Sequence, residues 1–273
     1  MSPAFLDGVG QPALIGVCHL DPTPGSPGFR GDFEAVLDKV RRDARALVAG
    51  GIGCAIVENF GDTPFYAEQV PPETVAALAL ALRAVREAAP ELLLGVNVLR
   101  NDARSALGLC ATTGARFLRV NVHVGAAVTD QGVVEGRAAQ TLRERDRLAK
   151  GCAILADVHV KHATPMGTES LAQAAQETSL RGGADALIVS GTATGAAPSS
   201  SALAEVRAAC PESLLLVGSG FDIDNAESLL KHADGAIVGT SIKAGGDVHA
   251  PIEAGRVRRL LERVRSLPKA QTR

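Results

Sequence analysis

Tryptophan is absent from this 273-residue chain, tyrosine occurs once, and aromatic residues make up only 3 %. Surfaces that stack single-stranded nucleic acid need aromatic platforms, so such a partner is not expected. A basic stripe is also missing: 28 Lys and Arg are interspersed with 30 Asp and Glu, for a net charge of −2. That leaves no electrostatic footprint for a nucleic-acid duplex. No apolar run approaches the ~20 residues of a membrane span. No basic segment followed by an apolar run opens the chain, so neither a membrane span nor a signal peptide is expected. The five cysteines (Cys18, Cys54, Cys110, Cys152 and Cys210) are odd in number and form no CxxC. They sit mostly in apolar runs, which fits buried, reduced thiols in a cytoplasmic protein better than a disulfide frame.

What is present is a large apolar fraction, 46 %, enough for a sizeable core, and a length that suits one α/β barrel or one large domain. Eight segments read as strands: residues 13–19, 54–58, 92–98, 117–124, 154–160, 186–190, 214–217 and 235–238. A helix follows each. Phe33, Val36, Leu37, Val40, Ala44, Leu47 and Val48 fall at helical spacing, with Asp32 placed as cap. Further helices are predicted over 73–88, from the cap Asp102 to 113, over 137–150, from a Thr168 cap to Arg181, over 200–209 and over 252–267. Asp224 and Glu227 form a capping-box pattern for a helix reaching His232. Glycines such as Gly51, Gly114 and Gly183 end helices and turn the chain into the next strand. The pattern predicts an α/β chain folded as a (β/α)8 TIM barrel. A single domain spans 1–273, with 1–12 as an N-terminal arm and 268–273 as a C-terminal tail. An open doubly wound sheet is the rival, but no G-x-G-x-x-G follows the first strand.

In such a barrel the chemistry sits at the C-terminal ends of the strands. The fifth strand carries Asp157, His159 and Lys161 at alternate positions, so all three are expected on one face, opposite Val158 and Val160. Burying three ionisable groups is costly unless they are paired or used. Arg119, Asn121 and His123 repeat the pattern on the fourth strand, and Arg119 is expected to pair with Asp157, as site machinery or as a salt bridge filling the barrel. The catalytic candidates are Asp157, Lys161, His159, Glu58 and Arg119. Candidates for substrate binding are His19, Asn59, Asn97, Asn101, Asn121, Ser190 and Thr192. Lys161 has three readings. A general acid or oxyanion clamp and a phosphate or carboxylate ligand rank above a Schiff-base amine. No cofactor is expected. A divalent metal among His19, His123, His159, His162, Asp157 and Glu58 would lack any H-E-x-x-H-like spacing.

Gly218, Ser219 and Gly220 end the seventh strand, and Gly239, Thr240 and Ser241 end the eighth. Small-residue loops at these two positions hold phosphate in many barrels through backbone N–H groups, though tight turns alone would look the same. The Gly-rich insertion 125–136 reads as a hairpin that lids the site or as an oligomer contact.

Several longer motifs resemble the BtpA/SgcQ family: Val57-Glu58-Asn59-Phe60-Gly61-Asp62, Gly95-Val96-Asn97-Val98-Leu99-Arg100-Asn101-Asp102 and Phe117-Leu118-Arg119-Val120-Asn121-Val122. Thr129-Asp130-Gln131-Gly132, Ala156-Asp157-Val158-His159-Val160-Lys161-His162-Ala163 and Gly239-Thr240-Ser241-Ile242-Lys243 extend the likeness over nearly the whole chain. The resemblance implies a phosphate-binding-type barrel. It also implies two roles, photosystem I biogenesis or stability in photosynthetic members and an unassigned metabolic role elsewhere. It carries over no catalytic residues. The expected function is therefore a lyase or isomerase acting by acid–base chemistry on a phosphorylated sugar or nucleotide-like metabolite. The alternative is a non-catalytic photosystem I assembly or stability factor. The expected partners are that small metabolite and further copies of the chain, as a homo-oligomer.

Overall fold

The structure is a computed structural model that describes residues 6, 9–167 and 170–268. Its frame is a closed barrel of eight parallel strands: β1 (Ala13–His19), β2 (Cys54–Glu58), β3 (Leu93–Asn97), β4 (Phe117–Val120), β7 (Ala153–Val158), β9 (Ala186–Val189), β10 (Leu214–Val217) and β11 (Gly235–Val238). Each strand pairs with the next in that order, and β11 closes onto β1. Three further strands, β5 (Ala126–Thr129), β6 (Gly132–Glu135) and β8 (Ala163–Pro165), form a separate antiparallel sheet. The insertion after β4 is thus a hairpin, paired with the segment that follows β7. The helices are α1 (Phe33–Gly50), α2 (Pro72–Ala88), α3 (Ala103–Thr113), α4 (Ala138–Leu148), α5 (Leu171–Gln176), α6 (Ser200–Ala209), α7 (Ala226–Leu229) and α8 (Ala254–Ser266). Among the described residues no helix is long and apolar enough to cross a membrane.

The period of two along each strand divides the core in two. Leu14, Val57, Val96, Leu118, Ile154, Leu187, Val217 and Val238 face outward into a cluster with the helices, where α1 contributes Val36, Val40, Ala44 and Leu47. Ile15, Val17, Ile56, Phe117, Leu155, Ile188, Leu216 and Ile237 face inward and fill the barrel. Leu6 belongs to this inner cluster and is 1 % exposed. Each such side chain removed from water contributes about 1.5–3 kcal/mol before entropy is counted. Gly95 shows how tightly the interior is filled: a Cβ there would lie 2.3 Å from the Phe117 ring. Only a bare backbone at 95 lets Phe117 occupy the lower barrel.

Local signals set several boundaries. Asp32 accepts a hydrogen bond from the Ala35 N–H at 3.0 Å. Asp102 does the same for Ser105 at 2.9 Å. Gly51, at φ 97°, closes α1 by donating to the carbonyls of Leu47 and Val48, a geometry that disfavours other residues. The Thr168 cap and most of the arm and tail lie outside the described residues; Ser170 caps α5, accepting from the Gln173 N–H. The Asp224/Glu227 capping box is not formed. Asp222 instead takes the N–H groups of Asp224 and Asn225, at 2.9 and 3.0 Å, and α7 is a single short turn.

Candidate functional site at the barrel mouth

The inward-facing positions of the barrel end, within one residue of the last residue of each strand, in His19, Glu58, Asn97, Arg119, Asp157, Ser190, Gly218 and Gly239. Apolar layers lie beneath, so the parity that packs the core also aims polar groups at one mouth. Asp157 is the hub. Arg119 donates to it twice, Nε to Oδ2 at 2.8 Å and Nη2 to Oδ1 at 2.9 Å. Ser190 Oγ adds a bond at 3.1 Å and Asn121 Nδ2 one at 3.4 Å. Gly218 makes the Ser190 contact possible, because a Cβ there would fall 2.2 Å from Ser190 Oγ. Burial opposes the charge on Arg119, but the facing Asp157 carboxylate outweighs it and holds the guanidinium protonated. Four donors on one carboxylate occupy its lone pairs, so Asp157 is an anchor for the mouth.

Glu58 is placed differently. Its Oε2 accepts from Asn97 Nδ2 at 2.7 Å, while Oε1 lies 3.6 Å from His19 Nε2. The His19 ring packs on Phe60, with centroids 4.6 Å apart. Burial and then the cations of Lys243, Lys161, Lys39 and Arg119 drive its imidazole well below its usual value, so it is neutral. Burial likewise keeps His123 neutral, partly offset by its bond to the Gly182 carbonyl. These shifts have a sign. Below about pH 6.5 the unfolded chain takes up protons that the folded imidazoles refuse, so stability falls as pH drops from 7 to 5. His19→Gln is expected to remove roughly 1–2 kcal/mol of that difference. Urea midpoints at the two pH values measure it; an unchanged difference would mean His19 takes up its proton in the fold.

Lys161 follows β7 in a segment where the chain leaves strand geometry. His159 and His162 on either side have φ of 53° and 55°, a left-handed conformation uncommon outside glycine that collects at functional sites. Arg100 Nη2 holds the Lys161 carbonyl at 2.7 Å. Burial, with Arg119 adding to it, lowers the amine below the ordinary lysine value against the opposite pull of Glu58 and Asp157. Among the described residues no group lies within hydrogen-bond or ion-pair reach of Nζ. The amine opens into a cavity of about 350 Å³ whose walls include Glu58, Asn97, Arg100, Arg119 and Asn121, with Asp130 from the hairpin turn at its rim. Asn97 Oδ1, Asn121 Oδ1 and Arg100 Nε are buried there without a partner.

Of the candidates read from sequence, Glu58, Asn97, Arg119, Asn121 and Lys161 line this one cavity. Asp157 supports it from below and His19 adjoins Glu58. The expected alternation fails at His159, whose left-handed backbone ends β7 at Val158 and turns the ring into an adjoining cleft. That wider cleft, about 690 Å³, shares Lys161 with the cavity and also takes Ser190 and Thr192. His123 leaves the site because β4 ends at Val120; its ring bonds the Gly182 carbonyl at 2.8 Å. Asn59 and Asn101 are structural. Asn59 Oδ1 accepts from the Leu99 N–H at 2.7 Å, and Asn101 pairs with both backbone groups of Val122 at 2.9 Å. In the loops after β10 and β11, Ser219 Oγ donates to the Ala196 carbonyl at 2.8 Å and Ser241 Oγ to the Phe221 carbonyl at 2.7 Å. Gly239 lies against the His19 ring, which puts the β11 loop beside the site although it is not on the cavity wall. Gly220, at φ 67°, packs on the Ala197 backbone. Among the described residues no group of three or more His, Cys, Asp or Glu is placed to hold a metal ion.

Arg100 and Asp130 were not among the candidates. Both come from loops, where no periodicity reports direction; the Arg100-Asn101-Asp102 cluster after β3 was the only signal for the first.

Comparison with known structures finds the same barrel in phosphoribosyl anthranilate isomerase from Thermus thermophilus, with a TM-score of 0.56 at 14 % identity, covering 93 % of this chain and 99 % of that one. The 2-keto-3-deoxy-6-phospho-gluconate aldolase from Zymomonas mobilis matches at 0.53 and 13 % identity, covering 95 % of each chain. At these identities the likeness is one of fold. Sequence relatives are far nearer. The photosystem I biogenesis protein BtpA of a Synechocystis species is 43 % identical over 91 % of this chain and 86 % of its own length. An uncharacterized protein of Thermococcus kodakarensis is 44 % identical over 93 % of this chain and 95 % of its own. The model of the BtpA family matches residues 11–266, and the chain belongs to that family.

Proposed function

We propose that this chain is an enzyme of the lyase or isomerase type, moving protons on a small, hydroxylated, phosphorylated metabolite held in the barrel mouth. The observation that carries the reading is the cavity of about 350 Å³ in which a lowered lysine amine faces a carboxylate with spare acceptor capacity. Glu58 is the proton-transfer group in this reading, since Asp157 is occupied by four donors. Asn97 and Asn121 receive substrate hydroxyls through their unpartnered amide oxygens. The phosphate is taken by Thr240 and by backbone N–H groups of the loops Gly218–Gly220 and Gly239–Ser241 other than that of Gly218, which donates to the Val189 carbonyl, because the hydroxyls of Ser219 and Ser241 are committed to carbonyls. An open, polar mouth supports this reading over a scaffold role, which needs no such cavity.

A thermal-shift screen against sugar phosphates and nucleotides, with NMR turnover assays on each hit, tests it. A ligand at a hundredfold excess over its Kd stabilises the fold by about 2.7 kcal/mol. At least one compound is expected to raise the melting temperature and be converted, with both responses lost in Asn97→Ala/Asn121→Ala. Hits that bind that variant equally well and are never converted would sink the proposal.

A further inference from the structure

The geometry points to Lys161 Nζ as a nucleophile that forms an imine with the carbonyl carbon of a small hydroxylated aldehyde or ketone, such as a 2-oxo acid or an open-chain sugar phosphate. This deepens the reading of the cavity as a catalytic site and rests on it. The contrast between half-buried Lys161 and the two buried lysines is the first support. Lys39 is paired with Asp21, and Lys243, fully buried, donates to the Val248 carbonyl at 2.5 Å. Lys161 alone of these three has its amine in a cavity with no partner among the described residues. Leaving a lysine amine desolvated and unpaired is costly, and such cost is tolerated where the group is used.

The second support is the way the amine is presented. Left-handed residues at 159 and 162 bracket it, and Arg100 clamps its carbonyl. A lysine that merely attracted an anion would need neither. The third is the surrounding charge. Arg119 and Arg100 already supply two cations, and both disfavour a third on Lys161. Arg119 is spent on Asp157, so Arg100, whose Nε has no partner, is the cation that suits a substrate carboxylate, and a deprotonated amine suits attack on carbon. Asn97 Oδ1 and Asn121 Oδ1 then accept hydroxyl protons on the chain flanking the carbonyl.

The step balances without an added oxidant. The nitrogen lone pair forms a C–N bond as the carbonyl π bond breaks, giving a carbinolamine. The hydroxyl then departs as water. Both hydrogens of the neutral amine leave with that oxygen, and Glu58 relays them from nitrogen to oxygen. The imine next to a carbon bearing hydrogen or hydroxyl is an electron sink, which is what a lyase or isomerase step requires.

The test is reductive trapping on the intact protein with glyoxylate and pyruvate as probes and sodium cyanoborohydride as reductant at pH 7. Hydride and a proton convert an imine to a secondary amine, so each adduct adds the probe mass less one oxygen atom. Peptide mapping is expected to place the adduct on Lys161 roughly several-fold faster than on exposed Lys150 and Lys231, because burial and the nearby guanidinium groups leave more of its amine unprotonated. Lys161→Arg, checked for folding by circular dichroism, is expected to lose that adduct and keep the slow surface ones. Labelling of Lys161 no faster than the surface lysines would overturn the imine. So would a substrate found in the screen whose turnover survives borohydride added during catalysis, and in that case the catalytic reading of the cavity would stand. Rapid trapping at Lys161 with no compound ever converted would do the reverse.

Discussion

Asp157→Asn is expected to cost about 3–5 kcal/mol of folding stability, the penalty for leaving a buried cation without its partner. The side chains of Arg119 and Asp157 are 4 % and 0 % exposed, so neither charge has solvent to fall back on. Asparagine keeps the shape, but it turns one acceptor into a donor aimed at a guanidinium. The Ser190 hydroxyl loses its charged acceptor as well. Removing both charges is a different experiment. Arg119→Met/Asp157→Leu is expected to cost much less than the single change, because paired buried charges recover little more than their desolvation. Urea unfolding of the three proteins separates the cases. If Asp157→Asn lost less than about 1 kcal/mol, the pair would have to be hydrated, and Asp157 would again be a candidate base.

Glu58→Gln is expected to lower kcat on the substrate found in the ligand screen by about 10²- to 10⁴-fold, the usual contribution of a positioned acid or base. Stability should change little. Glutamine retains an oxygen to accept from Asn97 Nδ2, and only the ability to take a proton at Oε1 is lost. The comparison with Asp157→Glu is informative, since a base at 157 would keep much of its rate in that variant while Glu58→Gln would stay near wild type. Steady-state kinetics with folding checked by circular dichroism distinguish the two assignments. A Glu58→Gln enzyme within threefold of wild type would remove Glu58 from proton transfer.

The barrel was legible because its strands repeat with period two and its helices with period 3.6, and both packing faces are written in Val, Ile, Leu and Ala. Ala13–His19 and Cys54–Glu58 have the bounds read from sequence. The Arg119–Asp157 pair was legible for the same reason: parity sends both side chains inward from adjoining strands. Parity stops being informative where the strand stops. The run to Val124 looks like four more residues of β4, yet the chain leaves the sheet after Val120. The run to Lys161 looked like strand until the left-handed turn at His159. Lys161 reaches the cavity all the same, by loop geometry rather than alternation. Arg100 and Asp130 were illegible because their directions depend on how two loops fold over the mouth. Ser219 and Ser241 read as phosphate-loop positions; their hydroxyls donate to the Ala196 and Phe221 carbonyls, as buried polar groups require, a pairing that no spacing reveals.

The chemistry of the mouth turns on the protonation of one amine. Selective ¹³C labelling of lysine side chains, with the Lys161 resonance identified by its absence in Lys161→Arg, allows that amine to be titrated beside Lys150 and Lys231 in a single sample. Burial and the adjacent guanidinium groups predict that Lys161 loses its proton at lower pH than both surface lysines. A titration superimposed on theirs would mean a fully charged, solvated ammonium, and would contradict both the imine and the site built around it.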